Sequence, residues 1–167
     1  LPEAQQDRFM FKVFVRYPSY EQEYEIAQRT TGGQEVVLDD VLSREEILAL
    51  QEVVRRVPAP PSVIHFALEL VRRTRPMTNG EAASGPAAEL IRRLVTFGAG
   101  PRAVQFLLLG AKARAVMLGR KFAAVEDVRA LAHAVLRHRI ITNYAAEAED
   151  YSPDRIIDHV LESLPDD

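Results

Sequence analysis

The sequence predicts a mainly helical fold, a bundle of about seven helices led by one β-strand, on three observations. Apolar residues recur at three- and four-residue intervals from Ser43 almost to the end. Hydroxyl caps and prolines punctuate those runs, and a single segment, Phe9–Val15, has strong strand chemistry.

Phe9–Val15 (F-M-F-K-V-F-V) is short, aromatic and β-branched, and Pro18 stops it, the profile of a buried strand. Glu35–Leu38 and the stretch around Phe122 are weaker candidates, and one good strand makes no sheet, so its sheet is expected outside this sequence. Ser19 with Gln22 and Ser43 with Glu46 fit the capping box, in which a hydroxyl and a side chain three residues on satisfy free N–H groups at a helix start. Ile47, Leu50, Val53, Val54 and Val57 then recur on one face until Pro58, Pro60 and Pro61 forbid continuation. A third helix spans about Ser62 to Thr74 and buries Ile64, Ala67, Leu70 and Val71. Pro76–Pro86 reads as a loop and Ala88–Thr96 as a short helix. Pro101–Leu118 is the central helix. Arg102, Gln105 and Lys112 form one narrow polar stripe, and Val104, Phe106, Leu107, Leu108, Ala111, Ala115 and Leu118 cover most of the rest. Val125, Val128, Leu131, Ala132 and Val135 mark another helix, and Ser152-Pro153 opens the last with a capping hydroxyl and a proline at its first position.

At 167 residues the chain holds one ordinary domain, or a small domain plus part of another. With 47% apolar and 27% charged residues it reads as soluble and globular. No apolar run approaches the roughly 20 residues of a membrane helix, and no basic, apolar leader opens the chain, so a cytoplasmic protein is expected. The absence of cysteine removes disulfides, thiolate zinc sites and thiol nucleophiles. A net charge of -3 gives no global attraction to nucleic acid. The start Leu1-Pro2, without Met, suggests a beginning inside a longer protein.

No G-x-x-x-x-G-K-[ST] loop is present, nor an apolar run ending in paired acids to hold Mg²⁺, so phosphoryl transfer by this segment alone is not expected. His65, His133, His138 and His159 form no H-x-x-x-H pair. The doublets Arg55-Arg56, Arg72-Arg73 and Arg92-Arg93 fall near helix C-termini, where positive charge complements the dipole. Phe97-Gly98-Ala99-Gly100-Pro101-Arg102-Ala103 differs in kind. Its glycines permit a tight turn, Pro101 fixes the first helical φ, and Arg102 then lies in the first turn, opposing the dipole. An anion would remove that conflict; an Arg turned to solvent or to a nearby acid is the other reading.

Several segments, in order, resemble the C-terminal half of MoxR-family AAA+ ATPases: L-P-E-A-Q-Q-D-R-F, F-G-A-G-P-R-A, L-L-G-A-K-A-R-A-V-M-L-G-R-K-F, V-E-D-V-R-A-L-A, V-L-R-H-R-I and N-Y-A-A-E-A-E. The resemblance covers nearly the whole chain. It implies that Arg8 is an arginine finger acting on a neighbouring subunit's ATP, and that Arg102 is the sensor 2 residue. Gly100 and Pro101 would then bring the helix N-terminus near phosphate. Gln6 stands where Leu is common, and Gly100 where Ser is common. It further implies that residues 1–17 end the α/β nucleotide-binding core and that 18–167 form an all-α lid. Walker A, Walker B and sensor 1 would precede Leu1, so ATP and Mg²⁺ would be used by the intact parent and not by this segment alone. Similar proteins are chaperone-like assemblies, often ring hexamers, that mature or activate partners, frequently with von Willebrand factor A domains. The partners implied are the core, neighbouring ring subunits and such a client, without membrane or specific nucleic acid. Two other classes stay open: a stand-alone helical adaptor, whose Arg102 would ignore nucleotide, and the lid of a nucleic-acid-remodelling motor, which would bind DNA with steep salt dependence.

Overall fold

The computed structural model describes residues 2–33, 38–78, 80–83 and 85–165. The chain divides into two compact units, Leu1–Lys12 with Glu52–Asp167, and Val13–Gln51.

Prolines and caps set the helix starts of the larger unit. After α1 (Glu3–Gln6) and the end of α3 (Arg44–Arg56), α4 (Pro61–Arg73) begins with Pro61. α6 (Pro101–Met117) and α9 (Pro153–Glu162) likewise take proline where no N–H is needed. Between α4 and α6 lie a two-residue hairpin, β1 (Met77–Thr78) with β2 (Glu81–Ala82), then α5 (Ala88–Leu94) and β3 (Val95–Phe97). α7 (Val125–Leu136), β4 (Ile141–Thr142) and α8 (Tyr144–Ala148) complete the order. β3 and β4 pair antiparallel, Val95 with Thr142 and Phe97 with Ile141, with an irregularity between.

α6 is the central helix, packed mainly on α7 and also on α4, and α9 closes against α7 and α4. Leu70, Ile91, Leu94, Leu107, Leu136, Ile156 and Ile157 are fully buried in one core. Gly110 lets α6 and α7 approach, since a Cβ there would stand 2.7 Å from Leu131 Cδ1 and 3.0 Å from Met10 Cε. All three Arg doublets occupy last turns, of α3, α4 and α5.

In the smaller unit, α2 (Tyr20–Thr31) and the first turns of α3 begin as the sequence predicts. Gln22 N–H donates to Ser19 Oγ at 3.3 Å, while Ser19 N–H donates to Gln22 Oε1 at 2.9 Å. Ser43 and Glu46 repeat the pattern at 3.2 and 2.7 Å. None of this unit's described residues is buried, and Ile47, Leu48 and Leu50 stand exposed.

All seven expected helices are present, and two short ones, α1 and α8, bring the described total to nine. The expected strand at Phe9–Val15 does not form: the segment is irregular, and Phe9, Val13, Phe14 and Val15 are exposed. Strand preference is a fit to a sheet surface. Lys12 N–H donates to Ala134 O of α7 at 2.8 Å, and the carbonyls of Asp7, Phe9 and Met10 are taken by Arg139 just beyond that helix. The stretch around Phe122 forms no strand either, and the Glu35–Leu38 candidate lies, except for Leu38, outside the described residues. The helix expected to reach Thr96 stops at Leu94, because Val95 turns extended to pair with β4. In α4, Val63 and Phe66 join Ala67, Leu70 and Val71 in the core, and Ile64 is only half-buried. Leu118, expected on the covered face of α6, is exposed beyond the end of the helix.

Candidate functional site

The turn that launches α6 is fixed from the end of α4. Buried Thr74 donates from Oγ1 to Val71 O at 2.7 Å and accepts Ala99 N–H at 2.9 Å. Arg75 Nε donates to Ala99 O at 2.8 Å. Gly98 lies so close that a Cβ would stand 2.3 Å from Thr74 O. Glycine is required at 98 by that approach, with no special torsion. Gly100 is the N-cap of α6 at φ -82° and ψ 177°, an ordinary extended backbone with open space where a Cβ would go. It supplies no capping side chain, and the first turn contains no acid.

Arg102 therefore projects from an uncapped helix start, with its side chain 45% exposed. Its Nη1 lies 2.5 Å from Asp7 Oδ2, so the anion that the helix start calls for is, here, a carboxylate of the chain itself. The other oxygen, Asp7 Oδ1, accepts from Arg139 Nε at 2.9 Å. Arg139 is the contrasting cation: its side chain is 1% exposed. It donates to Asp7 O at 2.8 Å, Phe9 O at 2.7 Å, Met10 O at 3.4 Å and Val135 O, and its guanidinium lies 5.1 Å from the Phe106 ring centre. Burial pushes its pKa down, the Asp7 carboxylate pushes it back up, and the nearby Arg102 charge lowers it again.

Arg139 is thus the peg on which residues 7–10 hang, and its neighbours continue the attachment. His138 Nε2 meets Phe9 O at 3.0 Å and must donate to that carbonyl, leaving buried Nδ1 without a partner among the described residues. Burial lowers the His138 pKa and favours the neutral ring. Arg137 donates to Lys12 O at 3.2 Å and to Asp154 at 3.0 Å.

Arg8 follows Asp7 directly. Its backbone N–H donates to Gln5 O at 3.3 Å, and its exposed side chain has no partner among the described residues. The structure thus brings Arg102 to the segment that carries Arg8, through Asp7. One carboxylate serves two arginines, Arg102 and Arg139. Of the polar stripe on α6, Gln105 is exposed, whereas Lys112 donates to Arg55 O at 3.2 Å. Among the described residues no cluster of His, Asp or Glu could hold a metal ion.

Sequence reasoning missed Asp7, Arg139 and Thr74. Arg139 offered one signal, a cation between Leu136 and the apolar pair Ile140-Ile141, but its carboxylate partner lies 132 positions away.

Residues 87–160, from α5 into α9, match the AAA lid domain family. Over 98% of its length the chain is 34% identical to Chaperone MoxR1 of Mycobacterium tuberculosis. Over nearly its whole length the chain is similar to the C-terminal part of MoxR-family AAA+ ATPases. Protein MoxR of Methylorubrum extorquens is 29% identical across 99% of the chain. The crystal structure of a candidate ATPase from Cytophaga hutchinsonii superposes on 99% of the chain with a TM-score of 0.86 at 32% identity. The chain spans 42% of the mycobacterial chaperone, 50% of the Methylorubrum protein and 48% of the Cytophaga chain, so it corresponds to half or less of each. Among the described residues no helix is long and apolar enough to cross a membrane.

Proposed function

We propose that this region is the nucleotide-sensing lid of a cytoplasmic AAA+ ATPase that works as a ring hexamer and drives chaperone-like maturation or activation of partner proteins. A von Willebrand factor A domain protein is the client class proposed. In this reading residues 1–17 end the nucleotide-binding core and 18–167 form the lid. The parent's remaining length supplies the phosphate-binding loop and the Mg²⁺ ligands. ATP hydrolysis belongs to the intact parent.

The observation that carries the reading is Arg102, a half-exposed cation in the first turn of an uncapped helix. Exposed backbone N–H groups, a guanidinium fork and an excess of positive charge suit the phosphate end of a nucleotide. The described residues offer no comparable fit for the metal. Arg102 is read as sensor 2, with Gly100 and Pro101 shaping the helix start beside phosphate. Arg8, exposed and without a partner among the described residues, is read as the arginine finger that completes a neighbouring subunit's site.

The test uses the full-length protein. Arg8→Ala should nearly abolish hydrolysis and leave ATP binding intact, because a finger acts on transition-state charge. Mixing it with subunits disabled in the phosphate-binding loop should restore part of the activity. Arg102→Ala should lower hydrolysis at least ~10-fold, about 1.4 kcal/mol of transition-state stabilisation, with an unchanged unfolding temperature. Wild-type turnover in a folded Arg102→Ala protein would overturn the sensor reading, and absence of rescue at every mixing ratio would overturn the finger.

A further inference from the structure

We infer that Asp7 is a positioning residue that holds Arg102 in reserve, its carboxylate occupying the guanidinium until a nucleotide phosphate takes its place. The inference rests on the reading of Arg102 as a phosphate contact.

The argument lies in the unequal standing of the two arginines on one carboxylate. Arg139 is buried and takes five oxygens, four of them backbone carbonyls. Removing it from Asp7 would leave a desolvated charge short of its counter-ion, which is strongly unfavourable. Arg102 has one carboxylate oxygen as its side-chain partner and is 45% exposed, so it can leave for water or for another anion at small cost. When it leaves, Asp7 stays neutralised by Arg139. The pairing is therefore fixed at one oxygen, Oδ1, and exchangeable at the other, Oδ2.

The charges point the same way. Asp7, Arg102 and Arg139 together carry one surplus positive charge, and exposed Arg8 is the next residue in the chain after Asp7. A phosphate would therefore meet a net-positive cluster whose more exposed cation is Arg102. Without Asp7, Arg102 would be a flexible side chain with its rotamers to lose on binding. With it, Arg102 is held in one place but partly neutralised. Asp7 thus trades affinity for placement, and ties that placement to the segment carrying Arg8.

Asp7→Asn separates the two halves of the contact. An amide keeps an oxygen for Arg139 Nε but offers N–H groups, which cannot accept, to Arg102. In the full-length protein, the affinity for a mant-labelled non-hydrolysable ATP analogue, AMPPNP, is measured by anisotropy for wild type, Asp7→Asn, Arg102→Ala and the double variant. Asp7→Asn should bind roughly 3- to 5-fold more tightly than wild type, the size of a half-exposed ion pair. It should change nothing once Arg102 is absent. Hydrolysis per bound nucleotide should fall, because the placement is lost.

Tightening of equal size in both backgrounds, or none in either, would overturn the inference while leaving the phosphate reading intact if Arg102→Ala itself weakens binding. No effect of Arg102→Ala on affinity would sink both. The unmodified protein gives a second readout should Asp7→Asn fold poorly. AMPPNP should speed amide exchange in the Asp7–Phe9 turn, and added protection there would mean that nucleotide strengthens the contact, which contradicts the proposal.

Discussion

Gly98 and Gly100 lie two residues apart and answer to different constraints. At 98 a methyl group would meet the backbone carbonyl of Thr74, which no rotamer change can relieve. At 100 the same methyl would meet nothing, and a hydroxyl there could cap the free N–H groups of α6. Gly98→Ala is therefore expected to destabilise the protein by about 1–3 kcal/mol, and Gly100→Ser to stay within about 0.5 kcal/mol of wild type. Urea unfolding at pH 7 reads both, and equal midpoints for the two variants would show that the Thr74 contact is not the constraint. The pair also marks a limit of reading residues in sequence. Both glycines look like turn glycines on paper, and only the neighbouring chain, 24 positions earlier, tells them apart.

At the scale of the element, α7 shows how a helix start can depend on distant charge. Asp127 is fully buried; it accepts Ala124 N–H at 2.9 Å and Arg114 Nη1 at 2.7 Å, and also binds Arg120. Burial on its own would raise the carboxyl pKa, but the bonds from Arg120, Ala124 and Arg114 outweigh it and hold the group below its ordinary value. The folded value thus lies below the unfolded one of about 3.9, and the unfolded state takes up the proton first. The contribution is whole above that pH and is lost as pH falls through the folded value. Asp127→Asn should lower stability by about 1–3 kcal/mol at pH 7, and the difference from wild type should shrink as the medium is acidified below about pH 4. An unfolding free energy measured from pH 7 to pH 3 that keeps the two proteins a constant interval apart would refute the assignment.

The same scale shows why helices were legible and the rest was not. Ser19, Ser43 and the Ser152-Pro153 pair act on groups within three residues, so their patterns carry the whole interaction. Phe9–Val15 has the composition of a strand, but a strand is completed by a neighbour, and composition does not say that Arg139 and His138 will take its carbonyls. β3 and β4 total five residues, too few to impose a period on the sequence. Of the candidate site, Arg102 stood out through its local Gly-Pro lead-in and Arg8 only through the family resemblance, whereas the Asp7–Arg139 pairing beside Arg102 spans 132 positions.

Over the whole molecule, burial is distributed unevenly. The described residues of Val13–Gln51 bury no side chain, whereas the other unit contains the entire core. Helices shorter than about 15 residues are marginal without tertiary packing, and α2 and α3 have 12 and 13. In hydrogen-exchange mass spectrometry of this chain, amides of α2 and the first turns of α3 should exchange within seconds, while those of α6 and α7 stay protected far longer. Comparable protection in the two sets would show that α2 and α3 have found a covering surface.

The larger unit is also broken in sequence, residues 1–12 belonging with 52–167, and this gives the molecule an order in time. A ribosome adds roughly 5–20 residues per second, so Arg139 is made on the order of ten seconds after Asp7. Throughout that interval the first twelve residues have no peg to hang on, while α4, α5 and α6 are made one after another. The docking of the N-terminal segment on Arg139 thus cannot precede the synthesis of α4 to α7, and the carboxylate at position 7 exists long before either arginine that it serves.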